Sequence, residues 1–308
     1  MFKKKTSLYC NYLVAFVDIL GQKESFIPTK VITRVQTRED MEANREAHRN
    51  TILYIRNFRK NFNLYCKHVR SKFSVTRKVP LKKLPAFLKI RKTIIKQSYF
   101  SDSFIAYVPL YQSSYHSTSM NGICDILAFF GFWHFVSMSI FHKVLRGGID
   151  LGSGVELDKN EIYGHALFQA YELESKRADY PRILIGEEAI RYLFSLKART
   201  QQFDGQKKED IDYCQRMAEK CLRWIANDQD GLNILDYLSP AFKEDILMKI
   251  PEIGDRFQSL FISAYNFCKT ELDKFNGRGN QKLSSRYQKL IAYFLSSAKR
   301  NGIAPNIQ

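Results

Sequence analysis

Between residues 51 and 100 the chain carries no aspartate or glutamate, while fourteen lysines and arginines fall in the same stretch. The formal net charge of +17 is therefore local. Residues 1–100 hold 23 basic and 6 acidic side chains, and the remaining 208 hold 25 of each. The block from Arg56 to Lys96 reads either as a solvated basic face or as an attractor for polyphosphates or nucleic acid, and charge alone does not separate these. Paired cysteines are also missing. The six cysteines form no CxxC and no regular spacing, which excludes a thiolate zinc module and predicts reduced, buried thiols in a cytoplasmic protein. The histidines show no HxH or HxxxH spacing, so a histidine zinc centre is not expected. No GK[ST] follows any glycine cluster, which argues against a P-loop.

A leader and a membrane span are likewise not expected. Met1-Phe-Lys-Lys-Lys has the basic character of a leader's start, but Asp18 interrupts the apolar run that follows and no small-residue cleavage site comes after it. Residues 123–141 are nearly long enough to cross a bilayer, yet they include Asp125 and His134. A buried core or dimer-interface helix explains them better. What the chain does have is 45% apolar and 14% aromatic residues over 308 positions, enough for one large domain or a domain with an extension.

Residues 8–21 read as a buried strand ending in a polar residue and a glycine turn. A long charged helical pattern follows from about Ser25 to Arg70, then a basic loop punctuated by Pro80 and Pro85. Residues 94–110 read as two strands around a polar tip, Ser101-Asp102-Ser103. A helix over 120–142 leads into a strand that runs into a glycine-rich turn by Gly154. A helix over 161–175 and a strand over 182–186 complete the pattern, and 187–308 reads as amphipathic helix with short breaks. The order β-α-β-β-α-β-α-β predicts an α+β fold, a sheet with covering helices, over 1–186, followed by a helical extension over 187–308.

Two aspartates stand where strands end or turn. Taken singly, Asp18 reads as a helix cap and Asp102 as a turn residue. Together, a strand end beside a hairpin tip brings two carboxylates to one place, the donor chemistry that a hard divalent cation selects. The surrounding residues resemble those of class III nucleotide cyclase domains. Phe16-Val-Asp-Ile-Leu-Gly21 is similar to the family's FxDIxG opening segment. Phe100-Ser-Asp-Ser-Phe104 resembles its second metal-binding segment, with Ser101 in place of the usual glycine. Arg146-Gly-Gly-Ile-Asp-Leu-Gly152 matches RxGIxxG, and residues 164–174 follow the frame GxxVNxAxRLE. The four segments keep their order and spacing over roughly the first 60% of the chain.

The departures redirect the expectation. The family's transition-state Asn and Arg fall on Phe168 and Glu172, and its purine-reading Lys falls on Ser98. Phe168 has no hydrogen-bond donor, and Glu172 would repel a phosphate. The pattern most resembles the pyrimidine (cytidylate or uridylate) cyclases of bacterial Pycsar antiphage defence. That resemblance implies a palm-like βαββαβ core working as a homodimer with sites at the interface. It implies conversion of CTP or UTP to the 3′,5′-cyclic monophosphate, a messenger for a separate effector. Asp18, Asp102 and the Ile19 carbonyl would hold two Mg²⁺ or Mn²⁺. Backbone N–H groups from Leu20, Gly21 and Gln22 onward would cradle the triphosphate, Arg146 would neutralise developing charge, and Ser98 and Glu161 would read the base. The alternative is a catalytically degenerate cyclase-like dimer that binds nucleotide or nucleic acid through the 51–100 block.

Overall fold

The computed structural model describes residues 9–21, 37–72, 95–110, 116–157, 161–198 and 208–303. Strand β1 (Tyr9–Ile19) opens the fold. Helix α1 (Arg38–His48) continues through a π-helical turn into α2 (Tyr54–Lys72). Strands β2 (Lys96–Phe100) and β3 (Ser103–Leu110) form a hairpin, followed by α3 (His116–Ser139) and β4 (Leu145–Glu156). The short β5 (Ile162–Tyr163) leads into α4 (His165–Glu172), which ends in a π turn, and then into β6 (Ile183–Ile185) and α5 (Glu187–Lys197). The rest comprises α6 (Lys208–Leu222), the strands β7 (Ile225–Asn227) and β8 (Asn233–Leu235), the short α7 (Pro240–Asp245) and α8 (Pro251–Gly254), and the long α9 (Phe257–Gly277) and α10 (Gln281–Arg300). The molecule is thus mixed α and β.

Among the described residues, one sheet collects all eight strands in the order β2-β3-β1-β4-β6-β8-β7, with β5 hydrogen-bonded to β4. Every pairing is antiparallel except that of β4 with β6. Alternation along β1 divides the two faces. Leu13, Ala15, Val17 and Ile19 enter the main core, while Tyr12, Val14 and Phe16 join a smaller apolar cluster with Ala166 and Ala170 of α4. Helix α3 packs on the main-core face and is itself covered by α2, α6 and α9. That enclosure explains its largely apolar sequence: the stretch Ser119–Ser139, long and apolar enough to cross a membrane, is buried inside the protein apart from the half-buried Asn121.

Two expectations change. The glycines of 147–154 do not make a turn; all four lie within β4. Helix α4 crosses them so closely that a Cβ at Gly148 would strike Ala170 O, and one at Gly152 would meet Gln169 Oε1 at 2.7 Å. The glycine stripe lets helix and sheet approach. Second, within the stretch 187–308 that reads as helix with short breaks, residues 228–231 form the turn of the β7–β8 hairpin, which extends the sheet beyond β6. Its strands are three residues long, too short to show an alternating pattern. Arg182, buried just before β6, ion-pairs with Asp228 and Asp230 of that turn, and Tyr180 Oη donates to Asp228 at 2.7 Å. Arg300 of α10 pairs with the buried Asp236, which also accepts from Tyr293 Oη at 2.7 Å. Buried pairs of this kind fix which surfaces meet more than they add stability. The hydrophobic core runs without interruption across residue 186. The loop expected at Pro80 and Pro85 lies outside the described residues.

Candidate active site

Asp18 occupies the last-but-one position of β1, on the α4 face. Strand register sets its surroundings: Asp18 is paired with Ser103 on β3 and with Arg146 on β4. Ser103 is the first residue after the β2–β3 turn, so the same register carries Asp102 to Asp18's side. That turn is tight, with Ser101 in the left-handed region at φ 53°. Ser103 Oγ donates to Asp18 Oδ1 at 2.9 Å.

The electrostatics follow from this crowding. The Asp18 carboxyl is pushed up to about 6, first by burial and next by the negative charge of Asp102. Glu174 pushes in the same direction, while the Ser103 hydrogen bond and Arg146 oppose it. Two carboxylates whose mutual repulsion is incompletely cancelled form a donor set that fits a divalent cation. Among the described residues no larger group of His, Cys, Asp or Glu gathers anywhere as a metal site. Asp18 and Asp102 are the two carboxylates that the strand register brings together here.

Arg146 is already engaged. Its Nε and Nη2 both donate to Glu174 Oε1, at 2.8 and 2.5 Å, and both side chains are largely buried. Its charge still acts on Asp18, but two of its five N–H donors go to Glu174, in the π turn that follows α4. The Leu20 N–H is also taken: it donates to Val144 O at 3.0 Å, because β1 and β4 remain paired to their ends. It is therefore not free to cradle a phosphate. Gly21 turns the chain at φ 88°, and Gln22 lies outside the described residues.

Ser98 and Glu161 do come together. They line one open groove of about 870 Å³ on the α4 face, with Phe16, Ile105, His165 and Phe168. Phe16 is the neighbour of Asp18 on that face, roughly 7 Å along the strand. The groove is bordered by exposed aromatics: Phe100 is 74% accessible, Tyr163 67%, Phe168 52% and Tyr171 46%. Glu172 ion-pairs with Lys176 one turn on.

One residue of the site is not evident from sequence. Arg59 of α2 donates through Nη2 to Ser101 O at the hairpin tip, and its guanidinium lies 4.8 Å from the centre of the Tyr99 ring. Tyr99 Oη in turn donates to Asn63 Oδ1 at 2.8 Å, one turn beyond Arg59 on the same helix. The charge of Arg59 bears on Asp102. In the sequence it is one of fourteen cations in the basic block, and only the packing of α2 beside β2 singles it out.

No protein-family model, no curated protein and no solved structure matches this chain.

Proposed function

We propose that the protein is a nucleotide cyclase of the pyrimidine type, converting CTP or UTP to the 3′,5′-cyclic monophosphate and pyrophosphate as a messenger in antiphage defence. The observation that carries this reading is the convergence of Asp18 and Asp102, set by β1–β3 register, with Ser103 donating to Asp18. The βαββαβ order with strands arranged β2-β3-β1-β4 supports a palm-like core for it.

Asp18, Asp102 and the Ile19 carbonyl would hold two Mg²⁺ or Mn²⁺ ions, which supply activation of the ribose 3′-hydroxyl and stabilisation of the leaving pyrophosphate. The 3′-oxygen attacks the α-phosphorus as its proton leaves, and the bond to the β-phosphate breaks. Ser103 orients the Asp18 carboxylate. Arg59 fixes the hairpin that carries Asp102. Glu161 and Ser98 offer an acceptor and a donor–acceptor to a pyrimidine edge from the groove. Arg146 acts as a fixed positive charge beside Asp18, since its hydrogen bonds go to Glu174. The exposed aromatics around the groove favour a homodimer closed over it, because an apolar rim of this kind marks an interaction surface.

The test is incubation of the purified protein with each of the four NTPs and Mn²⁺, followed by detection of cyclic monophosphate and pyrophosphate. A pyrimidine product that disappears in Asp102→Ala is expected. No product from any NTP would sink the reading. A second reading, a degenerate cyclase-like dimer that binds nucleotide or nucleic acid, is favoured by one observation: the positions of the family's Asn and Arg hold an exposed Phe168 and a Glu172 paired to Lys176. Strongly salt-dependent RNA or DNA binding without turnover would select it.

A further inference from the structure

A cavity of about 220 Å³ opens where β1 ends and β4 begins, walled on its other side by α9 and α10. Leu20 and Gly21, the second and third residues after Asp18, form one wall; Lys143, Lys274, Arg286 and Glu271 bring charge to it. Three cations therefore face one carboxylate, and that carboxylate is committed to Lys274 at 3.0 and 3.2 Å. Among the described residues, neither Lys143 nor Arg286 has a carboxylate within ion-pairing distance. The Arg286 Nε is buried and has no hydrogen-bond partner. Lys143 is pushed below the usual lysine range, mainly by burial, with Glu271 opposing and Lys274 adding to the shift. Lys143 Nζ lies 5.0 Å from the centre of the Tyr54 ring, and Asp179 and Glu174 offset part of the Arg286 charge. The pocket still sets three cations against one carboxylate in a partly desolvated place, an environment that favours an anion.

We infer that this cavity is a phosphoanion subsite, in which Lys143, Lys274 and Arg286 take a polyphosphate chain. On the cyclase reading, on which this further step rests, the anion is the β,γ end of the substrate triphosphate, lying past Leu20 on the side of Asp18 away from the groove. Residues of α9 and α10 then serve the site directly. They supply the cations that the Leu20 N–H and Arg146, both already engaged, do not. Arg286 also senses the charges of Arg146 and Glu174, so the subsite and the Asp18 neighbourhood are electrostatically continuous.

The test is calorimetric titration of the full-length protein with inorganic tripolyphosphate at low salt and without divalent metal. Binding by the wild type is expected, weakened at least tenfold in Lys274→Gln and in Arg286→Gln, and retained in Lys274→Arg and Arg286→Lys. Glu271→Gln is expected to tighten it, since the competing carboxylate is gone. No wild-type binding, or equal binding by the glutamine variants, would overturn the inference. So would weaker binding in Glu271→Gln, which would mark a structural role for the cluster instead. The two readings separate cleanly. Cyclic product from a protein whose tripolyphosphate affinity ignores these variants leaves the cyclase standing and the subsite refuted. Variant-sensitive binding with no cyclic product from any NTP does the reverse.

Discussion

Asp18 is half-buried beside a second carboxylate, so its ionisation works against the fold. Its folded-state pKa of about 6 lies above the ordinary carboxyl value of 3.8. The folded protein therefore binds more protons than the unfolded chain between about pH 4 and 6. The contribution of this group is fully present below that window and is lost as pH rises through it. Asp18→Asn removes the charge and keeps the oxygen that accepts from Ser103. At pH 7.5 it is expected to stabilise the fold by at most ~3 kcal/mol, the free energy of displacing a carboxyl pKa that far, seen as a higher melting temperature. Added Mn²⁺ should stabilise the wild type and leave the variant unmoved in the same thermal scan. An equal Mn²⁺ response in both would dissociate Asp18 from the metal. His134 presents the opposite case. It is fully buried in α3, stacked on Tyr237 at 4.4 Å with neither ring nitrogen partnered, and burial pushes its pKa down to about 3. Its contribution is complete above about pH 6.5 and is lost as pH falls from there towards 3. His134→Phe keeps the stacked ring and removes two unpaired buried nitrogens, each worth about 1–3 kcal/mol. A higher denaturant midpoint with an unchanged slope is expected.

Among the elements, α4 and β4 approach closely enough to depend on glycine. A methyl group at Gly148 would meet the backbone oxygen of Ala170 and the Leu173 side chain. Neither can move without lifting α4, and with it Glu174, off the sheet. Gly148→Ala is therefore expected to destabilise by about 1–3 kcal/mol, the usual penalty of overpacking. It should also loosen Arg146 from Glu174, visible in chemical denaturation as a smaller cost of Glu174→Gln in the Gly148→Ala background than in the wild type. Gly21, at φ 88° with open space around it, offers a comparison in which only the backbone conformation opposes a side chain. The register of β1 against β3 is the other element-scale determinant. A slip by one residue would turn Asp18 into the main core and Val17 towards Asp102. The apolar residues Leu13, Ala15, Val17 and Ile19 forbid that slip, so the core residues of β1 indirectly place its carboxylate.

For the whole molecule, the rim of exposed aromatics makes a prediction about assembly. Phe168→Asp with Tyr171→Asp changes side chains that carry little of the monomer's core. Sedimentation should show loss of a dimer while circular dichroism and melting temperature stay near those of the wild type. A wild type that sediments as a monomer at all concentrations would contradict the proposed closure of the groove. The sequence by itself determined the elements whose chemistry is local: the apolar run of β1 ending at Asp18, the polar tip at Asp102, the largely apolar helix that must be enclosed, and the mixed α and β class. It did not determine which groups are spent on one another. The Leu20 N–H and the Arg146 guanidinium read as available donors because their partners, Val144 and Glu174, are remote in sequence. Nothing in the sequence singles out Arg59, one cation of a basic block, or Arg286, because only packing brings them to the hairpin tip and to the end of β1. The β7–β8 hairpin was invisible for want of length. Strand register, close helix–sheet approach and the pairing of charges are long-range decisions, taken when the core closes, and the tertiary structure alone records them.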